Sequence, residues 1–282
     1  MKKLVTLYFL YAVFGVSCAN AADVTLVQGG ASYITIEGEI SAGDTEKFIA
    51  VIRNNRYVND VVLHSAGGDV IEAMKLGRLI RRLRLATNSE SFNEFSGQRS
   101  CHAKIAKAEN CICASACFVV FAGGGFRTGN NLVLHRPFLT KEAAARYSYG
   151  QREQLQKDIT VIVTNYLIEM EVPQYYVEKM MSRSSQDAYF VTHSDILDSD
   201  HPLGTPPSIE EIQLSECKKT SVTQVGKLVQ SLNKSDRRTD ADNKQIAKLN
   251  AEIEASGACM RGITKKLRDD AFDREFGLAK VK

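Results

Sequence analysis

Apolar residues recur along this chain at two alternating periods, and the alternation predicts a mixed α/β protein. Residues 24–40 hold two strand-like stretches, the clearer being Tyr33-Ile34-Thr35-Ile36 ahead of Gly38. Residues 44–53 have helical spacing, with Phe48, Val51 and Ile52 on one face. Val61-Val62-Leu63 is a short buried strand that runs into Ser65-Ala66-Gly67-Gly68. From about Asp69 a helix follows; Val70, Ala73, Gly77 and Ile80 share its inner face, and Arg78, Arg81, Arg82 and Arg84 are expected in solvent. Residues 113–122 are apolar apart from Ser115, stop at Gly123-Gly124-Gly125, and precede a second buried strand, Leu132-Val133-Leu134-His135. Helical spacing returns at Ile159, Ile162, Val163, Tyr166, Leu167 and Met170. Pro173 suits the first turn of another helix carrying Val177 and Met180, and residues 187–192 return toward the core. Strand, turn and helix in repeated succession imply parallel strands in an α/β core.

The polar stretches divide the chain. Lys2 and Lys3, the apolar run from Leu4 to Val16 and the small residues Ala19 and Ala21 read as a secretory signal over residues 1–21, cut after Ala21. The run is shorter than the roughly 20 residues of a membrane span, and the small residues favour cleavage over an uncleaved anchor. A periplasmic or secreted location follows. The core is expected over residues 22–200, with a polar insertion at 88–112 and a helical segment at 139–186. After the break at Pro202 and Pro207, residues 208–282 turn polar and charged. Val222, Val225, Val229 and Leu232 make one stripe and Ile246, Leu249 and Ile253 another, with a charged turn over residues 235–243. Two readings stand for this extension: a helical hairpin pinned by Cys217 and Cys259, or a partly disordered charged tail.

Export changes the meaning of the cysteines. Of the seven, Cys18 would leave with the signal, and Cys101, Cys111, Cys113, Cys117, Cys217 and Cys259 would meet an oxidising compartment that favours disulfides. A Cys101–Cys111 bridge could close the insertion. The Cys111-x-Cys113-x-x-x-Cys117 spacing is no standard zinc knuckle, so no metal is expected. The chain carries a formal charge of +3, spread rather than striped, and the cut would remove two of those charges; nucleic acid is not an expected partner. Neither a phosphate loop, a dinucleotide fingerprint after a strand nor a His-Glu-x-x-His pair occurs, so no cofactor is expected.

Three places could carry chemistry. Ser115 stands among small residues just before a buried helix, where the next N–H can face a developing oxyanion; on its own it reads equally as a helix cap or packed hydroxyl. Gly67-Gly68 follows a buried strand and can turn a backbone N–H into a cleft, or make an ordinary tight turn. His135 ends a strand and can act as base and acid near neutrality, or sit satisfied in the core. Cys113 or Cys117 could serve as a thiol nucleophile instead, and His64 could meet substrate.

Taken in order, these features resemble the ClpP family of serine peptidases. The family pattern is Ser-Pro-Gly-Gly, then Ala-Ser before a buried helix, then a strand ending His-Gln-Pro. Here the similar residues are Ser65-Ala66-Gly67-Gly68, Ala114-Ser115 and Leu134-His135-Arg136-Pro137, and the resemblance covers roughly residues 34–192. Ala66 replaces the proline and Arg136 the glutamine. The resemblance implies a ClpP/crotonase-like repeated β-β-α core with a helical, charged C-terminal extension. It implies a serine peptidase that takes a peptide or protein substrate, with Ser115 as nucleophile and His135 as general base; export makes it ATP-independent. The N–H groups of Gly68 and Ala116 would form the oxyanion hole, with Gly67 and Arg136 beside the substrate. Asp187, or failing it Asp195, would complete the triad. A homo-oligomer is implied as well; the family's ATPase partner is not expected, because an exported enzyme meets no ATP. Two other readings use the same scaffold. One is a crotonase-like acyl-CoA enzyme, which conflicts with export. The other is a catalytically inactive binding or assembly protein working through its C-terminal helices.

Overall fold

Alternation at the N-terminus pairs β1 (Asp23–Val27) antiparallel with β2 (Tyr33–Glu37), with Ile34 and Ile36 turned into the core. In the computed structural model, which describes residues 21–29, 32–89, 112–196, 200–217 and 239–277, the sheet then continues in parallel through β3 (Asp60–His64), β4 (Ala86–Ser89) and β6 (Phe126–Gly129). The leader, nearly all of the insertion and the Cys101–Cys111 pairing lie outside the described residues. A second, three-stranded sheet orders β5 (Cys113–Ala114), β7 (Leu132–Leu134) and β8 (Tyr189–Val191), parallel between the first two and antiparallel between the last. The chain leaving β3 joins this sheet through a Ser65–Cys113 bridge, and the chain leaving β2 joins that segment through an Ile40–Gly68 bridge. Strand ends that start in one sheet therefore finish beside the other, and the α/β class read from the pattern is the one observed.

The helices follow the expected order. α1 (Asp44–Ile52) buries Phe48 and Ile52. α2 (Val70–Arg82) is capped by Asp69, whose carboxylate accepts from the N–H groups of Ile71 and Glu72. α3 (Ala116–Ala122) is buried along its whole length and packs between α2 and α5 (Tyr149–Glu169). Full burial of Phe118, Val119, Val120 and Phe121 stabilises the core by about 1.5–3 kcal/mol each. The helices approach so closely that a Cβ on Gly123 would fall 2.2 Å from the Gly77 carbonyl oxygen. The segment expected at 139–186 contains α4 (Lys141–Ala144), α5 and α6 (Gln174–Ser182).

One expectation fails. Arg81 is not solvated: it donates to the carbonyls of Ala122, Gly123 and Met170 and lies 3.6 Å from Glu171. Beside it Arg127, fully buried, donates to the carbonyls of Ala122, Leu203 and Met170. The ends of α3 and α5 present carbonyls with no intrahelical partner, and two guanidinium forks satisfy them. Burial pushes the Arg127 guanidinium down to about 9. Arg78 and Arg82 act as expected, pairing with Glu169 and Glu275 at the surface, whereas Arg84 is part-buried and its guanidinium is pushed down by that burial.

After the short α7 (His193–Ile196), the described residues of the extension form α8 (Pro207–Glu216) and α9 (Asp240–Phe276), tied by Cys217–Cys259. The expected pairing of those cysteines is thus present; the stripe at Val222–Leu232 lies outside the described residues. α9 docks by its C-terminal end: Phe272 is buried in the main core and Arg56 holds Asp269 and Asp273. Between α9 and the first sheet lies a cavity of about 1070 Å³, lined in part by Tyr57, Phe126, Ile209 and Met260. At the other end of the sheet, the Asp44 carboxylate is closed off from solvent and accepts from Ala22 N–H, Ser41 N–H and Lys47.

Candidate active site

Ser115 owes its geometry to two elements that pull the chain in different directions. Its N–H donates to the Val133 carbonyl at 3.0 Å, which continues the β5–β7 pairing, while its own carbonyl accepts from Phe118 and starts α3. The residue is left at φ 57°, ψ −118°, a conformation that L side chains rarely adopt. Such a position costs on the order of 1–3 kcal/mol and persists only where the surroundings over-determine it. A serine on a strained strand-to-helix turn can present its hydroxyl outward, and Ser115 is part-buried between the buried Ala114 and Ala116.

Gly67 lies directly against this turn. A Cβ on it would fall 2.9 Å from Ser115 Cβ and 3.3 Å from the Ala116 nitrogen. The turn is prewound by Ser65, whose hydroxyl accepts from Gly67 N–H and donates to the Gly67 carbonyl. Ile40 braces it from outside: its N–H donates to Gly67 and its carbonyl accepts from Asp69. Those two bonds use the groups on either side of Gly68 and turn Gly68's own N–H away from Ile40. Neither Gly68 N–H nor Ala116 N–H donates to any group among the described residues. Ala116 is the first residue of α3, where an unspent N–H faces outward with the helix dipole behind it.

His135 ends β7, the strand beside β5. The register pairs Ala114 with Val133, so Ser115 stands level with Leu134 and the histidine one residue further. Its Nδ1 bonds the Arg136 carbonyl at 3.0 Å. A carbonyl can only accept, so Nδ1 carries the proton and Nε2 the free lone pair, the tautomer a base requires. Phe138 lies over the ring at 5.6 Å and is itself half-exposed. No hydrogen bond joins the Ser115 hydroxyl to the imidazole.

The carboxylates stand elsewhere. Asp187 is exposed and pairs with Arg183 at 2.6 Å, and Asp195 accepts from the backbone and hydroxyl of Thr192. Neither touches His135. The Arg136 side chain is exposed, and its N–H donates to the Arg183 carbonyl. Sequence reasoning missed the Arg136 carbonyl, because a backbone acceptor leaves no trace in residue type. It also missed the bond between Cys113 and Cys117, fully buried on either side of the serine, although their symmetric spacing about Ser115 was the available signal. That bond removes both cysteines as thiol nucleophiles. Among the described residues no cluster of three metal-ligating side chains occurs.

No family model matches the sequence, and no curated protein matches it. Solved structures do. A ClpP1 protease variant from Listeria monocytogenes is 13% identical over 61% of this chain and 88% of its own, with a TM-score of 0.40. The ClpP protease catalytic domain from Plasmodium falciparum is 16% identical over 60% and 81%, with a TM-score of 0.37. A putative enoyl-CoA hydratase from Streptomyces coelicolor is 12% identical over 87% and 90%, with a TM-score of 0.34. At TM-scores of 0.34 to 0.40 these likenesses carry no argument about this chain. ClpP proteases and crotonase-type hydratases both appear among the neighbours, and at these identities neither transfers an activity or a residue role to this chain.

Proposed function

We propose that this chain is an exported serine hydrolase, a peptidase that needs no ATP and works through an acyl-enzyme. One observation carries the reading: a part-buried serine on a strained turn, with Gly67 packed against it and the N–H groups of Gly68 and Ala116 unspent. His135 Nε2 takes the Ser115 proton as Oγ attacks a peptide carbonyl carbon. The Gly68 and Ala116 N–H groups stabilise the oxyanion. The imidazolium then protonates the leaving amine, and water attacks the ester by the same route. The Arg136 carbonyl does the orienting that a triad carboxylate does elsewhere. For base catalysis the imidazole must close on the hydroxyl when substrate binds, a tightening common in such sites. Export is supported by the leader and by two disulfides in the described residues. A homo-oligomer is supported by Val161, Ile162 and Ile168, exposed along α5.

A fluorophosphonate probe should label the wild type at Ser115, and Ser115→Ala should lose the label while keeping its melting temperature. Equal labelling of both proteins overturns the nucleophile. The missing Ser115–His135 hydrogen bond and the outward-facing Asp187 favour a second reading, a binding protein that keeps the scaffold; absence of label and of turnover in the folded wild type would select it.

A further inference from the structure

The Cys113–Cys117 disulfide encloses the proposed nucleophile. One sulfur hangs from β5, the other from the first turn of α3, four residues on, and the Cα atoms stand 5.1 Å apart. A loop so short gains little from restricting the unfolded chain, and far less than the 42-residue loop closed by Cys217–Cys259. Its effect is local. The only residues inside the ring are Ala114, Ser115 and Ala116: the strand end, the nucleophile and an oxyanion donor. Ser115 occupies a conformation the chain would leave if its flanks could move apart. Hydrogen bonds to Val133 and Phe118 hold each flank to its own element, and the sulfur bridge ties the two flanks covalently across the turn. Both cysteines are 0% exposed.

We infer that the Cys113–Cys117 disulfide is a positioning device for Ser115, and that the chain reaches full hydrolytic competence only once this bond has formed. The inference rests on Ser115 being the nucleophile. Bond formation takes two protons and two electrons from the thiols and passes them to an oxidised small-molecule or protein disulfide, which becomes two thiols. The buried bond is then out of reach of thiolate attack in the folded chain, so it sets the site once instead of switching it back and forth. Without it the strand, α3 and the fold persist, but Ser115 relaxes and carries the Ala116 N–H out of line. Ground-state contacts made elsewhere along the substrate remain.

The full chain carrying Cys113→Ala and Cys117→Ala is compared with the wild type and with Cys217→Ala/Cys259→Ala as a control. Expected is a fall in the fluorophosphonate labelling rate and in kcat of about 10- to 100-fold, with KM moving less than about twofold, since the lost interaction belongs to the transition state. A peptide boronate, which forms the tetrahedral adduct, should weaken in parallel with kcat. Amide hydrogen exchange over residues 113–119 should quicken while that of β3 and α2 stays level. The control pair should lose melting temperature without losing labelling rate per folded molecule. Should the alanine pair fail to fold, a chain keeping Cys113 and Cys117 with every other cysteine replaced by alanine, refolded with a dithiol reductant and separately with glutathione disulfide, gives the same comparison. Equal labelling rates, or equal exchange over residues 113–119, overturn the inference. A wild type that never labels sinks the hydrolase reading instead, and the exchange comparison then decides the clamp alone.

Discussion

Gly67 has no room for a side chain. Its φ of 116° and the 2.9 Å approach to Ser115 Cβ mean that Gly67→Ala must push the nucleophile turn aside. A displacement near 1 Å costs on the order of 100-fold in rate, so Gly67→Ala should lower kcat/KM by about that factor while the circular dichroism of the fold is retained. Glu72 shows how one residue sets a pH response. Burial alone would raise its carboxyl, but the Thr45 N–H and Lys75 outweigh that and hold it below the usual range. Its contribution is complete above the ordinary glutamate pKa and drains away as pH falls through the lowered one. Glu72→Gln should therefore flatten part of the acid limb of a stability–pH curve measured by thermal melting. At this scale the sequence is informative wherever residue type decides geometry: Gly67, Gly68, Ser115 and His135 are legible from their types and their order along the chain. Asp187 is not, because its partner Arg183 sits four residues away and a local ion pair looks the same in sequence as a free turn aspartate.

At the scale of elements, the boundaries of β2, β3, α2 and β7 follow the apolar periods closely, since burial of one face is what those periods record. The buried arginine was illegible for the opposite reason. Arg127 sits in Phe-Arg-Thr-Gly, a polar-looking edge strand, and its partners are helix-end carbonyls that no side-chain pattern reports. Arg127→Met should leave the carbonyls of Ala122, Met170 and Leu203 short of donors. Losing charge-assisted bonds of this kind costs about 3 kcal/mol, to be read as a shift in the urea midpoint at unchanged slope. Arg81 shares two of those carbonyls, so the penalties of removing both arginines should exceed the sum of the single ones in a double-mutant cycle.

For the whole molecule, the C-terminal end of α9 packs as part of the core. Phe272 is fully buried and Arg56 and Arg82 grip the last turns of α9. Phe272→Ala should cost about 3 kcal/mol, and a chain ended at Pro207 should melt lower than the full chain; gel filtration of the pair shows whether α9 also governs association. The apolar stripe from Ile246 to Ile253 announced a helix, but its docking depended on a contact more than 200 residues distant from Arg56, a separation at which periodicity carries no information.

The peptide nitrogen that Ala22 offers to Asp44 lies one bond beyond the expected cut after Ala21. Severing that bond would turn a neutral donor into a primary ammonium facing a carboxylate closed off from solvent. The new charge would be born already paired. Ser41, on the same carboxylate, is followed back by Ile40, whose two hydrogen bonds embrace the Gly67 turn. If the proposed cut occurs, maturation would draw taut the strand end that backs the Ser115 turn, leaving the precursor as the slacker form of the molecule.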